Sequence, residues 1–316
     1  MARNLIASKL INSVRNRAFI PDDTSTYTDS DVLDILNEEM DVGLLNTLLV
    51  LNEEHLVTNT EVPFVSGQDS YKIPYRAIGN KLRDVAYIGS SGVYELSQIS
   101  LEELSDYRRG YTNRYQDVFY IEGDEVKFVN VVLQAEKIRM YFYLRPNVIV
   151  KEDECAKINS IDRNTGIILV SNFPTAHSST TEFDFIQTRT PNKILGFDIT
   201  PSATNKNQFS YTFDPEDIPD SLQAGDYICI AEESPFPNVP TELHPILAQR
   251  AAVFILEAMG DTENLQNARG KLAQMENSVQ TMLESRVEGA PQKINPRHST
   301  LVQTKTSGWF RRNRRS

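Results

Sequence analysis

The period of the apolar positions changes twice along the chain, from helical to alternating and back to helical. Leu5, Ile6, Leu10, Ile11 and Val14 fall at helical spacing and predict a short helix over 4–17. Pro21 and the polar run DDTSTYT break it. A second stripe, Leu33, Leu36, Met40, Leu44, Thr47, Leu48 and Leu51, predicts a helix from Thr28 to about Glu54. Thr28 and Asp31 have capping-box spacing, with Asp in place of Glu, and Gly43 is a point of weakness or bending.

From Val57 the alternation has period two. EVPFVSGQDSYKIP predicts two short strands around a Ser-Gly turn. LRDVAYIGSSGVYELSQIS predicts a hairpin, and Ser100 with Glu103 caps a short helix after it. QDVFYIEGDEVKFVN predicts a hairpin at Gly123-Asp124, and KINSIDRNTGIILVSN another at Asn164-Thr165-Gly166. Between these two hairpins lies a strand alternating Ile138, Met140, Phe142 and Leu144. EFDFIQTRT, KILGFDITP, NQFSYTF and GDYICIA add further strands. Many short strands at such spacing indicate a β-sandwich or barrel-like domain.

PFPNVP, residues 235–240, is a proline-rich joint that returns the chain to helix. Thr241–Gly289 predicts two helices joined at Gly260-Asp261, with Thr241 as N-cap and Pro245 in the first turn. The first carries a wide stripe from Leu243 through Phe254 to Met259. The second carries Leu265, Ala268, Leu272, Met275, Val279 and Met282 at alternating spacings of three and four, an a/d seam. The fold class expected is α+β. N- and C-terminal helices form a bundle (1–56 and 241–289) around a large inserted antiparallel β-domain (57–240), and residues 290–316 form an extended basic tail.

Charge sharpens this division. The 316 residues carry a net −11, but 290–316 contribute +7 and 1–21 contribute +4, leaving −22 on the middle. Basic ends on an acidic body suit contact with an acidic partner or loose contact with nucleic acid. The tail also holds the only Trp, Trp309, beside Phe310 and ahead of Arg311, Arg312, Arg314 and Arg315. Aromatic and Arg side chains dominate interface hot spots, so this end is read as a docking anchor.

Chemistry is hard to find. The chain has no P-loop, no dinucleotide fingerprint, no nucleophile elbow and no HExxH motif. His55, His177, His244 and His298 have no metal-ligand spacing, and Cys155 and Cys229 read as two reduced core thiols. Glu53-Glu54, Glu152-Asp153-Glu154 and Glu232-Glu233 are sequence neighbours whose side chains diverge, so they read as solvated faces. The reading is a non-enzyme without metal or cofactor. No apolar run approaches the ~20 residues of a membrane span, and the N-terminus lacks a secretory apolar core.

The arrangement resembles the head-to-tail adaptors of tailed phages, the podovirus-like connector, tail tubular or head completion proteins. The resemblance rests on TSTYTDSDVLDILNEEMDVGLLNTLLVLNEEHLV, on PFVSGQDSYKIPYRAIGNKLRDVAYIGSSGVYELSQISLEEL with DVFYIEGDEVKFVN, and on the closing segment from Val239 to Pro291. It implies a structural virion protein of the neck, assembled in the host cytoplasm into a ring, twelvefold by analogy, beneath the portal. Portal and tail or further ring proteins are the implied partners, with non-specific contact to passing DNA. Trp309, Phe310, Arg311, Arg312, Arg314 and Arg315 would dock on the portal, and Leu265, Leu272, Met275, Val279 and Met282 would pack subunits. The alternatives are a tail-side ring or stopper, and a glycan- or receptor-binding β-module.

Overall fold

The computed structural model describes residues 5–20, 26–109, 117–129, 135–190 and 192–283. Helix α1 (Ala7–Ala18) buries Leu10, Ile11, Val14 and Ala18 on one face. Helix α2 (Asp29–Glu38) starts at the predicted box: the Asp31 amide donates to Thr28 Oγ1 at 3.3 Å, and the Thr28 amide donates to Asp31 Oδ2 at 2.7 Å. Hydrogen bonds from Thr28 hold the Asp31 carboxyl below the usual carboxylate range. The long second helix does not run unbroken. Glu39–Leu44 form a π-helical segment before α3 (Leu45–Leu51). Gly43 lies in that segment, where an added Cβ would overlap the Arg250 guanidinium and stand 3.0 Å from Glu39 Oε2. The widened turn keeps Met40, Leu44 and Leu48 buried on one line.

Strands β1 (Val57–Pro63), β2 (Ser70–Lys72), β3 (Ala77–Gly89), β4 (Gly92–Glu95) and β5 (Ser97–Gln98) follow. Then come α4 (Leu101–Arg109), β6 (Val118–Glu122), β7 (Glu125–Val129) and β8 (Ala135–Leu144). They make two four-stranded sheets, β1-β8-β3-β4 and β2-β7-β6-β5. Every pair is antiparallel except β5 with β6, whose parallel crossover is α4. The strands on either side of the Ser-Gly turn, β1 and β2, lie in different sheets. Ile138, Met140 and Phe142 of β8 turn one way, into an apolar cluster with Tyr71, Phe119 and Val126 of the second sheet. Tyr143 turns the other way, into the helical core.

Beyond Pro146 come β9 (Val148–Ile149), β10 (Ala156–Asp162), β11 (Ile167–Val170), β12 (Phe183–Ile186) and β13 (Ile194–Ile199). After them are β14 (Ala203–Asn205), β15 (Ser210–Thr212), β16 (Tyr227–Ile230) and β17 (Glu233–Ser234). Seven of them form one antiparallel sheet in the order β13-β12-β16-β10-β11-β15-β14. β17 and β9 pair in parallel. The seven-stranded sheet has its own apolar cluster, centred on Phe183, Phe185, Tyr211 and Phe213. The strands read as one sandwich or barrel are thus shared among several sheets with separate cores, one before Pro146 and one after it.

Helix α5 (His244–Met259) and helix α6 (Thr262–Leu283) close the described chain. Gly260 ends α5 in the left-handed region at φ 72°, and the Asn264 amide donates to Asp261 Oδ1 at the start of α6. Thr241 is not the N-cap of α5. Leu243 occupies that position without a side-chain cap, because 240–244 first make a tight turn in which the Leu243 amide donates to the Pro240 carbonyl. The proline-rich joint is deeply buried, and the Ala7 amide donates to the Pro235 carbonyl at 2.8 Å. α1 to α3 share one apolar cluster with α5 and α6, as the N- and C-terminal bundle predicts. Asn37 of α2 fixes it to the β part: Asn37 Nδ2 donates to the Ile149 carbonyl and the Ile149 amide donates back to Asn37 Oδ1.

A buried charge cluster holds the two β regions together. Arg76, just before β3, donates bidentately to Asp184 of β12 at 2.9 Å and to Asp198 of β13 at 3.1 Å. Asn147, after β8, accepts from Arg76 and donates to Asp184 Oδ2 at 2.6 Å and to the Glu233 carbonyl at 2.9 Å. Amides of Asp198 and Glu232 complete the Asp184 carboxylate. Burial alone would lower the Arg76 pKa, but Asp184 and Asp198 outweigh it and the guanidinium is held more firmly protonated than usual. Asp184→Ala leaves a buried cation short of its partner and is expected to cost about 3–5 kcal/mol in urea unfolding. Gly43→Ala is expected to change the same midpoint by less than about 1 kcal/mol, since the overlapping guanidinium swings away and helix propensity offsets the weakened ion pair.

Candidate functional site

No convergent catalytic constellation forms among the described residues. His177 is fully buried, with Nδ1 against the Tyr211 hydroxyl and Nε2 at 3.1 Å from the Glu154 carbonyl. His244 is fully buried too, with Nδ1 accepting from the Leu5 amide and Nε2 on the Val239 carbonyl at 3.2 Å. Burial pushes both imidazoles down to about 4 and keeps them neutral. They are packing residues that tie loop to sheet and N-terminus to α5. Among the described residues no group of three or more His, Cys, Asp or Glu is placed to hold a metal ion.

The acidic clusters are not uniform. Glu54 pairs with Arg83, and Glu53 accepts from the Tyr143 hydroxyl at 2.9 Å. Glu152 accepts from Ser8 at 2.6 Å. Glu233 is half-buried near Glu154 and Asp184, and desolvation followed by those two charges raises it to about 7. An open cleft of about 310 Å³ lies beside α1, lined by Ser8, Ile11, Asn12, Asp29, Lys151, Glu152 and Asp153. Its lining carries the carboxylates of Asp29, Glu152 and Asp153 with one lysine, Ile11 is its apolar side chain, and no aromatic ring lines it.

On α6, Val279 is buried, while Leu265, Leu272 and Met275 are half-buried against the chain's own helical cluster. Met282 is 61% exposed. Most of the a/d seam therefore packs on α5, and its outer rim and Met282 stay exposed. Trp309, Phe310, Arg311, Arg312, Arg314 and Arg315 lie outside the described residues. The structure adds exposed apolar side chains that periodicity missed: Val42 and Val50 on the far side of the second helical stripe, and Phe19 after α1. Phe254, read as part of the α5 stripe, is 42% exposed, while Ile255 and Leu256 beside it are buried. Arg250, one turn before it, bonds Glu276 of α6 at 2.6 Å and pairs with Glu39 at 3.6 Å, clamping three helical segments.

The family model described as SU10 adaptor protein matches residues 6–178. The chain belongs to the SU10 adaptor protein family. It is a phage adaptor structural protein, as the resemblance implied at that level. No curated protein sequence matches it. Among the described residues no helix is long and apolar enough to cross a membrane. The family match spans α1 to β11 and ends inside the seven-stranded sheet, so β12 to β16, which complete that sheet, and α5, which covers α1, lie beyond it.

The adaptor's stability should respond to pH in two opposed ways. The folded-state pKa values of His177 and His244 are depressed, so their contribution is complete above pH ~6.5 and is lost as pH falls towards 4. Glu233 is raised, so its contribution is complete below pH ~4.5 and is lost as pH rises through 7. Urea unfolding of Glu233→Gln is expected to show a higher midpoint than the parent at pH 8 and no difference at pH 4.5.

Proposed function

We propose that this adaptor sits between capsid and tail as a ring beneath the portal, twelvefold by analogy with head-to-tail adaptors, and lets genomic DNA pass. The observation that carries the reading is the family match over residues 6–178. The helical cluster of α1 to α3, α5 and α6 would form the ring wall. Subunits would pack through the outer rim of Leu265, Leu272 and Met275, through Met282, and near Val279. The tail, with Trp309, Phe310, Arg311, Arg312, Arg314 and Arg315, would dock on the portal. Its aromatics would fill apolar pockets and its arginines would meet acidic groups. The acidic body favours passage of DNA over grip, because like charges repel the phosphates. The protein would be a non-enzymatic virion component assembled in the host cytoplasm, with tail or further ring proteins as its other neighbours.

Two tests separate the parts of this reading. Deleting residues 290–316 is expected to abolish co-sedimentation with the portal of the same genome while leaving the unfolding midpoint of the remainder unchanged. Equal co-sedimentation of the truncated and intact chains would remove the docking role. Met282→Lys changes an exposed side chain, so it is expected to leave monomer stability within about 0.5 kcal/mol and to reduce ring formation. Rings formed as readily as by the parent would remove Met282 from the subunit contact.

A further inference from the structure

Cys155 and Cys229 are far apart in sequence and both are fully buried. The pairing of β10 with β16 sets Ala156 against Ile228 and Lys157 against Tyr227, antiparallel. One step further along the register sets Cys155 against Cys229. The hydrogen bonds fix which kind of cross-strand pair this is. The Ile158 amide donates to the Asp226 carbonyl and its carbonyl accepts from the Gly225 amide, so the backbone of residue 158 bonds across to the β16 side. Alternation then makes 156 with 228 hydrogen-bonded and 155 with 229 not. The Cys155 backbone agrees: its amide donates to the Glu152 carbonyl and its carbonyl accepts from Asn172 Nδ2 at 2.7 Å, neither bonding Cys229.

At a non-hydrogen-bonded antiparallel pair the Cα atoms stand about 4.5 Å apart and the side chains approach most closely. That separation falls within the range of about 4.4–6.8 Å that a disulfide spans. Cys155 is near enough to Cys229 to add, after burial, to the raising of its thiol. They share one apolar pocket with Ile186, Tyr227 and Phe236.

We propose that Cys155 and Cys229 are a latent disulfide site: reduced when the chain folds, and closed by a small peroxide oxidant into a staple between β10 and β16. One thiol sulfur attacks a peroxide oxygen. The O–O bond breaks, the sulfur becomes a sulfenic acid, and the displaced oxygen leaves as water with the thiol proton. The second sulfur attacks the sulfenic sulfur. The S–O bond breaks, the S–S bond forms, and the second oxygen leaves as water with the second thiol proton. Two thiols are oxidised by two electrons and one peroxide is reduced to two waters. Burial raises the Cys229 thiol well above its ordinary range, so the step is slow, and reagents larger than peroxide do not reach the pair.

The test uses the full chain in its folded state. The protein is treated with hydrogen peroxide, quenched with catalase, unfolded in guanidinium with iodoacetamide, and weighed intact. The expected product is lighter than the reduced chain by two hydrogens and carries no alkyl group, and prior reduction restores two alkyl groups. Cys229→Ser is expected to give no intrachain product, with Cys155 alkylated or oxygenated alone. Two alkyl groups on the peroxide-treated parent, or oxygen adducts on sulfur without a crosslink, would overturn the proposal. Because the parent's mass alone decides, the conclusion does not depend on the variant folding.

Discussion

The Arg76–Asp184 pair is the constraint on which the described fold depends. An ion pair removed from water is costly unless every lone pair and proton finds a partner. Here Arg76 reaches Asp184, Asp198 and Asn147, and Asp184 also accepts two backbone amides. Those partners come from the start of β3, the end of β8, β12, β13 and the approach to β17. No one of these segments can shift without stranding a buried charge. The cluster therefore fixes where the seven-stranded sheet stands against β3 and β8, and where the chain turns back towards the helices.

That return is equally tight. The proline-rich segment, read from sequence as a joint that returns the chain to helix, is buried along its length. It bonds Ala7, and His244 bonds Leu5 and Val239. The ends of the described chain thus close on each other. This also explains why the family match stopping at residue 178 does not mark a separable piece: the sheet and the helical core both need residues from beyond it.

Much of this was legible in the residues. Capping at Thr28, the hairpins at 89–92, 123–124 and 164–166, the inward alternation of β8 and the Gly260 stop each depend on local chemistry that a sequence displays directly. The π-helical segment was visible only as a weakness at Gly43, whose near neighbour Arg250 lies more than two hundred residues away. The assignment of strands to separate sheets was not legible, since alternation reports which face is buried and not against what. The Arg76 cluster was hidden for the same reason: none of its members is remarkable until the fold brings them together. The a/d seam of α6 marks a packing face, but period alone does not say whether α5 or another subunit receives it. The structure gives most of that face to α5.

The helices and sheets so positioned bring together no catalytic constellation among the described residues, in a chain that belongs to an adaptor family. The measurement that tests the proposed function most directly is electron microscopy with native mass determination of the intact protein mixed with the portal of the same genome. The account predicts a closed ring of copies of this chain seated coaxially on the portal. A monomer that remains separate from the portal at every ratio would contradict it.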